Sequence, residues 1–355
     1  MTMWADTEIA RLFNLQYPIV QAPMAGSTTP ELVATVSNSG GLGSLGAGLS
    51  SMTPEALQKT IRKIRTLTDK PFAVNLFSPE ESSITLVQQQ RMCDILKEIA
   101  GHLDVTLLPI QDPMISNFEE KLEVILKEEV PIFSFTFGIP EKKSLDALKA
   151  NGIKIIGTAT SLLEAKLLEE ANVDAIVAQG IEAGGHRGTF PGHEQTYIGL
   201  MALIPQLVDR IKLPVIAAGG IADVRGIKAA FTLGASGVQI GTAFLSTKES
   251  GAHPKHKEAL MCATCDSTCL TRAFTGRLAR GLSNRYIEAM EPYVKDILPY
   301  PFQGRLTASL RKKAAELNEI DYMALWAGQN VHLCQDVSAK MLFRQWVNQL
   351  SYNRE

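Results

Sequence analysis

The sequence is short of everything that would set it apart from an ordinary globular chain. Neither sign of charge dominates: 35 Lys and Arg stand against 37 Asp and Glu, a formal net charge of −2. That balance excludes a general electrostatic attraction to nucleic acid or an anionic membrane. No stretch approaches the ~18 uninterrupted apolar residues of a membrane span. The N-terminal MTMWADTEIARLFNLQYP has no basic region followed by an apolar one, so it does not read as a secretory signal. Cysteine is scarce and odd in number, at five. That argues against a disulfide framework and for a reducing, cytoplasmic setting. Histidine is scarce too, at six residues, which narrows the search for acid–base chemistry. What is left, 355 residues at 45% hydrophobic and 20% charged, has the length for a large core in one domain or two.

Short apolar runs recur along the chain, each followed by turn residues and then a helical pattern. The runs are Pro18–Gln21, Leu42–Leu45, Phe72–Leu76, Pro131–Phe135, Lys154–Gly157, Ala175–Ala178, Pro214–Ala217 and Gly237–Ile240. Most are continuous rather than alternating, as strands buried on both faces require. Helix starts are marked by Thr29-Pro30, by Thr53-Pro54, by Asp223, and by Ser161 with Glu164 in a capping-box spacing. Eight strand–helix alternations predict an α/β fold, a (β/α)8 TIM barrel, with an open doubly wound sheet as the competing arrangement.

Two segments exceed that repeat. Residues 78–129 separate the third and fourth runs and read as an insertion, with the strand count there left open by the apolar VTLLPI. After Leu245 another 110 residues follow, helical in pattern and broken by ILPYPFQG. The expected organisation is a barrel over 1–249 and a mostly helical cap over 250–355 that completes a pocket. Within the tail, Cys262, Cys265 and Cys269 could suggest an iron–sulfur site. The helical pattern around them instead predicts three small, buried, unreactive thiols on one helix face.

In such barrels the chemistry collects at the C-terminal ends of the strands, with phosphate at the last two. Those strands end in Gly219-Gly220 and in Gly241-Thr242, where a bare backbone lets N–H groups approach phosphate oxygens. Gly41, Gly43 and Gly46 spell G-x-G-x-x-G but follow a helical segment. They therefore read as small residues facing a planar ligand or a neighbouring backbone, not as a dinucleotide fingerprint. Asn75 and Gln179 end two more strands with amides, which suit a heterocycle whose edge alternates C=O and N–H. The loop leaving the sixth strand, AQGIEAGGHRG, surrounds His186 with four glycines. His186 is the histidine expected at the mouth. His193, His253 and His256 make only a weak zinc pattern that no carboxylate or cysteine set completes, so no metal is expected.

Taken as a set, PIVQAPMAG, GGLGSLGAG, FAVNLF, AQGIEAGGHRG, VIAAGGI, VQIGTAFL, FTGRLARGL, LPYPFQG and LWAGQ resemble the nitronate monooxygenases over nearly the whole chain. The barrel motifs alone are shared with FMN-dependent enoyl-acyl-carrier-protein reductases. The resemblance implies non-covalent FMN without a metal, contacted by Met24, Asn75, Gln179, Gly184, Gly220, Gln239, Ile240, Gly241 and Thr242. It places the active-site histidine at His186. Tyr300 in LPYP is the candidate substrate donor or aromatic wall. The implied activity is oxidation of alkyl nitronates, propionate-3-nitronate among them, with O2 through a flavin semiquinone. His186 would act as a cation, a neutral donor, or a base with an ordinary pKa. An enoyl reductase using NAD(P)H and a non-catalytic flavin-binding protein are the alternatives. The FTGR of Phe274–Arg277 departs from an expected FSGR by a hydroxyl-preserving change. Oligomeric state and physiological substrate are not readable from the sequence.

Overall fold

Each apolar run becomes a parallel strand because both of its faces find cover. The computed structural model describes residues 4–107, 110, 117–193 and 197–352. The strands are β1 (Ile19–Gln21), β2 (Gly43–Gly46), β3 (Phe72–Phe77), β4 (Ile132–Thr136), β5 (Lys154–Ala159) and β6 (Ala175–Gln179). Past a two-residue strand β7 (Gly185–His186) come β8 (Val215–Ala218) and β9 (Gly237–Ile240). Their order is β1-β9-β8-β6-β5-β4-β3-β2, and a parallel bridge between Val20 and Leu42 joins the two edges. The ring is a (β/α)8 barrel, and the doubly wound alternative falls away.

Alternate residues divide between two cores. Val20, Leu42, Ala73, Ile132, Ile156, Val177 and Ile216 gather in one cluster, which Ile9 and Phe13 of the N-terminal segment complete. Leu45, Val74, Phe133, Ile155, Ile176 and Val215 pack instead against the surrounding helices. Each such side chain, fully buried, is worth ~1.5–3 kcal/mol.

The helices start largely where the sequence marks them. Thr29 caps Pro30–Asn38, Thr53 caps Pro54–Leu67, and Asp223 caps Val224–Thr232, each through its own side chain. At Leu162–Glu170 the capping box is only half made. Ser161 accepts from Glu164 N, but the Glu164 carboxylate turns away to Thr160 N and Phe190 N. Tertiary demand from the loop after β6 outcompetes the local reciprocal bond.

The insertion contributes the helices Leu86–Ala100 and Phe118–Lys127, and no strand appears there among the described residues. Part of VTLLPI, with 111–116, lies outside them. Met92, Ile95 and Leu96 of the first helix share a third core with Leu260, Phe274, Tyr286, Phe302 and Leu306 of the tail. The tail is less helical than its pattern predicts. After a first helix it runs through the antiparallel pair β10 (Thr268–Thr271) and β11 (Ala279–Leu282), and β11 pairs in turn with β7. Its last helix, Ala339–Tyr352, leaves the mouth and packs Leu342, Phe343 and Trp346 on the barrel flank beside Leu32 and Ile227.

The three cysteines therefore do not share a helix face. Cys262 ends the helix Pro254–Cys262, Cys265 sits in the following turn, and Cys269 is in β10. The first two are exposed and the third partly so, which overturns the buried-thiol expectation. Among the described residues no group of three or more His, Cys, Asp or Glu is placed to hold a metal. Nor is any helix long and apolar enough to cross a membrane.

The G-x-G-x-x-G segment answers its own question. A Cβ at Gly41 would meet Ile19 O and the Phe343 ring, one at Gly43 would overlap the Val33 carbonyl, and one at Gly46 would strike Ala25 N. These glycines face neighbouring backbone, so their role is packing. Gly43→Ala should lower the unfolding free energy by about 1–3 kcal/mol. Chemical denaturation checks this as a lower midpoint at unchanged slope. A variant as stable as the parent would contradict the packing role.

Candidate active site

The sequence brings polar residues to the C-terminal ends of the strands, and the tail folds over that end. The two meet at β7. Ala279 pairs with His186 and Arg280 with Gly185, while Arg187 N donates to Leu278 O at 2.8 Å. Gly185, at φ 75°, turns the chain into this pairing, a conformation that suits glycine.

His186 Nε2 lies 2.8 Å from Thr275 Oγ1. The Thr275 hydroxyl has a second partner, Arg277 O, to which it donates at 3.3 Å. That assignment puts the imidazole proton on Nε2 and leaves the lone pair on Nδ1. Three aromatic rings surround the imidazole, with centroids at 5.2 Å for Trp326, 6.0 Å for Phe137 and 6.4 Å for Tyr300. His256 Nε2 bonds Trp326 O at 3.1 Å and fixes that wall from behind. His253 caps its own helix through Nδ1. Both histidines are thus used in the framework.

Burial, with the cations Arg277 and Arg311 nearby, pushes the His186 pKa down to about 3. The ordinary pKa expected from sequence is corrected, and the imidazolium form with it. At neutral pH the ring is an uncharged donor and acceptor. Tyr300 keeps its proton, since burial raises its pKa to about 12.

Arg277 is itself buried. Its Nη1 pairs with Glu80 Oε2 at 2.8 Å, and its Nη2 donates to Thr189 O at 2.6 Å. The guanidinium lies 4.1 Å from the Phe137 ring centroid and 5.5 Å from that of Tyr300.

The amides are used within the loops. Gln179 Nε2 donates to His186 O at 3.1 Å and Oε1 accepts from Gly188 N at 2.6 Å, so this side chain shapes the histidine loop. Asn75 Nδ2 donates to Ser134 Oγ at 3.0 Å. Glu182 Oε1 and Oε2 accept from Leu200 N, an acidic cap on a helix whose N-cap is the bare Gly199. Met24 sits partly buried past β1, between the barrel flank and the tail core.

The glycine turns lie side by side on β8 and β9. Gly219 and Gly220 both have positive φ, 120° and 67°. The bonds that fix these turns fall on carbonyls. Gly241 O accepts from Phe244 N and Leu245 N, and Gly220 O accepts from Asn330 Nδ2. The N–H groups of Gly220 and Gly241 take no part in those bonds. A Cβ at Gly241 would meet only Ala22 Cβ, at 3.5 Å, so space remains in front of it. Gln239 and Ile240 lead into that turn on β9, the first partly and the second fully buried. Thr242 Oγ1 accepts from Gly328 N at 2.9 Å, and Gly184 abuts Ala327 and Gly328. Tail residues 327–330 therefore reach the turns that the sequence assigned to the barrel alone.

Phe137, Arg277, Glu80 and Trp326 were not singled out from the sequence. Arg277 and Trp326 sit within quoted motifs, FTGR and LWAGQ. Phe137 has no pattern of its own beyond a Phe-Gly pair after a strand.

The sequence model of the family described as Nitronate monooxygenase matches residues 6–349. A Staphylococcus aureus (strain Newman) protein named "Probable nitronate monooxygenase" is 44% identical over 353 residues, 98% of each chain. Among solved structures, nitroalkane oxidase from Streptomyces ansochromogenes is similar at TM-score 0.87 and 39% identity, over 96% of this chain and 98% of that one. FabK from Thermotoga maritima is similar at TM-score 0.75 and 29% identity, over 97% and 95%.

The neutral histidine makes a prediction of its own. Its folded pKa lies below the ~6.5 of an unfolded chain. As pH falls below 6.5 the unfolded state takes the proton first, so this stabilising contribution is complete above 6.5 and declines between 6.5 and about 3. ¹⁵N NMR of the imidazole, assigned with His186→Asn, should show no protonation down to about pH 5. A midpoint near 6.5 would contradict the enclosure of the ring.

Proposed function

Because this chain belongs to the nitronate monooxygenase family and is an oxidoreductase, we propose that it oxidises alkyl nitronates with O2 on one non-covalent FMN. Propionate-3-nitronate represents the substrate class, and the products are a carbonyl compound with nitrite or nitrate. The observation that carries this reading is the uncharged His186, held by Thr275 inside an aromatic cage at the mouth of the barrel.

The residues present fit a flavin mononucleotide. Gly219-Gly220 and Gly241-Thr242 would take the phosphate, supported by the open space before Gly241 and by carbonyl-side anchoring that spares the N–H groups. Met24, Asn75, Gln179, Gly184, Gln239 and Ile240 would line the rest. When bound, the flavin supplies the electron acceptor for the nitronate and the route to O2. The protein's own residues orient and exclude. Trp326, Phe137 and Tyr300 keep water from the imidazole, and Tyr300, protonated at working pH, offers a hydroxyl donor to a nitro oxygen. A nitronate needs no base. A neutral nitroalkane does, and the lone pair assigned to His186 Nδ1 would be the acceptor for its α-proton. We assign the barrel over 1–249 to FMN and the 250–355 cap to completing the pocket, in the cytoplasm. All five cysteines are free thiols, which suits that compartment.

The enoyl-reductase reading shares the barrel and differs in what it consumes. Aerobic protein given propionate-3-nitronate and no pyridine nucleotide should take up O2 and nitronate together. A requirement for NAD(P)H and an enoyl thioester would overturn the proposal. In the same assay His186→Asn should lose ~10²-fold or more in kcat/KM on a neutral nitroalkane and far less on its anion, with flavin content unchanged.

A further inference from the structure

Phe137 is a bulky residue held at φ 75°, a left-handed conformation that costs such a side chain about 1–3 kcal/mol. Something must hold it there. One face of the ring meets the Arg277 guanidinium at 4.1 Å, and Phe77 lies 4.7 Å away, centroid to centroid. The same guanidinium lies over Tyr300 at 5.5 Å. Phe137 and Tyr300 are 5.6 Å apart, edge to face, and both rings present to His186. Two anchors fix the guanidinium in turn. Glu80, on the segment after β3, neutralises its charge, and Thr189 O, on the segment after β7, takes a second N–H. The segment that carries Glu80 is itself tied to the tail, where Ser82 Oγ donates to Tyr300 O at 2.8 Å. Arg277 thus gathers four separate stretches of chain at one buried, charge-balanced point. A planar guanidinium can donate to two separate acceptors while stacking on a ring, which a lysine ammonium does not reproduce.

We propose that Arg277 is the positioning residue of this site: pinned by Glu80 and the Thr189 carbonyl, it clamps Phe137 and Tyr300 as the wall that faces His186. It is also a fixed positive charge beside that ring. The other charged or titratable groups around the imidazole are Arg187, the next residue after β7, Arg280 on β11, Arg311 on the helix Ala308–Leu317, and Tyr300. The role in turnover rests on the nitronate reading. The geometry of the clamp does not.

The test compares Arg277→Met, Arg277→Lys and Glu80→Gln with the parent, each as flavin-loaded full-length protein. The first readout is the Cε1–H resonance of His186, which ring currents from Phe137, Tyr300 and Trp326 make sensitive to the wall. Arg277→Met should move this resonance, leave the other five histidines in place, and raise the His186 protonation midpoint by about one pH unit. Arg277→Lys retains the charge and loses the fork, so the resonance should move while the midpoint stays low. Glu80→Gln should move the resonance less than either, and it answers the question if Arg277→Met does not fold. The second readout is kinetic: kcat/KM for nitronates should fall ~10–100-fold in Arg277→Met, with partial rescue by Lys. A His186 resonance and midpoint unchanged in Arg277→Met and Glu80→Gln would overturn the proposal. The resonance is read without substrate. A parent protein inactive on nitronates would therefore contradict the functional reading while the resonance still decides the clamp.

Discussion

The pairing of Gly185–His186 with Ala279–Arg280 is the contact on which the site depends. Without it the histidine loop is a glycine-rich stretch with no fixed direction. With it the imidazole meets Thr275, and the turn between β10 and β11 that carries Thr275 also carries Arg277, while β11 itself, through the Gly281–Trp326 bridge, brings the third wall of the cage. The barrel supplies a rigid rim and the tail supplies the chemistry's surroundings. Neither half holds a finished site alone.

The electrostatic consequence follows from enclosure. A histidine at a barrel mouth open to solvent would titrate near 6.5 and be part cation at working pH. Here apolar rings that displace water on three sides and two nearby guanidinium groups disfavour a further positive charge. At neutral pH the imidazole is therefore uncharged, and the permanent charge nearby belongs to arginine. Arg277 is tolerable at that depth because Glu80 balances it, since a lone buried cation would cost several kcal/mol.

Much of the barrel was legible in the residues. Continuous apolar runs between turn signals leave few options other than strands buried on both faces, and all eight runs found their places. The histidine loop was legible because glycines crowd one imidazole. What escaped was non-local. The β10–β11 pair reads as a continuation of a helical tail, since Thr268–Thr271 and Ala279–Leu282 are only four residues each and gain their strand character from β7. The Glu164 carboxylate looked committed to its own helix until Phe190 N competed for it. The cysteine spacing matched a helix face, but the helix stops at Cys262. Phe137 and Arg277 carry no local signal because their meaning lies in each other.

The claim that a Thr275-held, uncharged histidine is the working centre has a direct test in the hydroxyl. Thr275→Val keeps the volume and removes the bond, while Thr275→Ser keeps the bond. Measured as kcat/KM on a neutral nitroalkane with flavin content matched, Val should lose roughly 2–10-fold, the worth of one hydrogen bond, and Ser should stay at the parent value. A Val variant as active as the parent, with Ser no different from Val, would contradict the account.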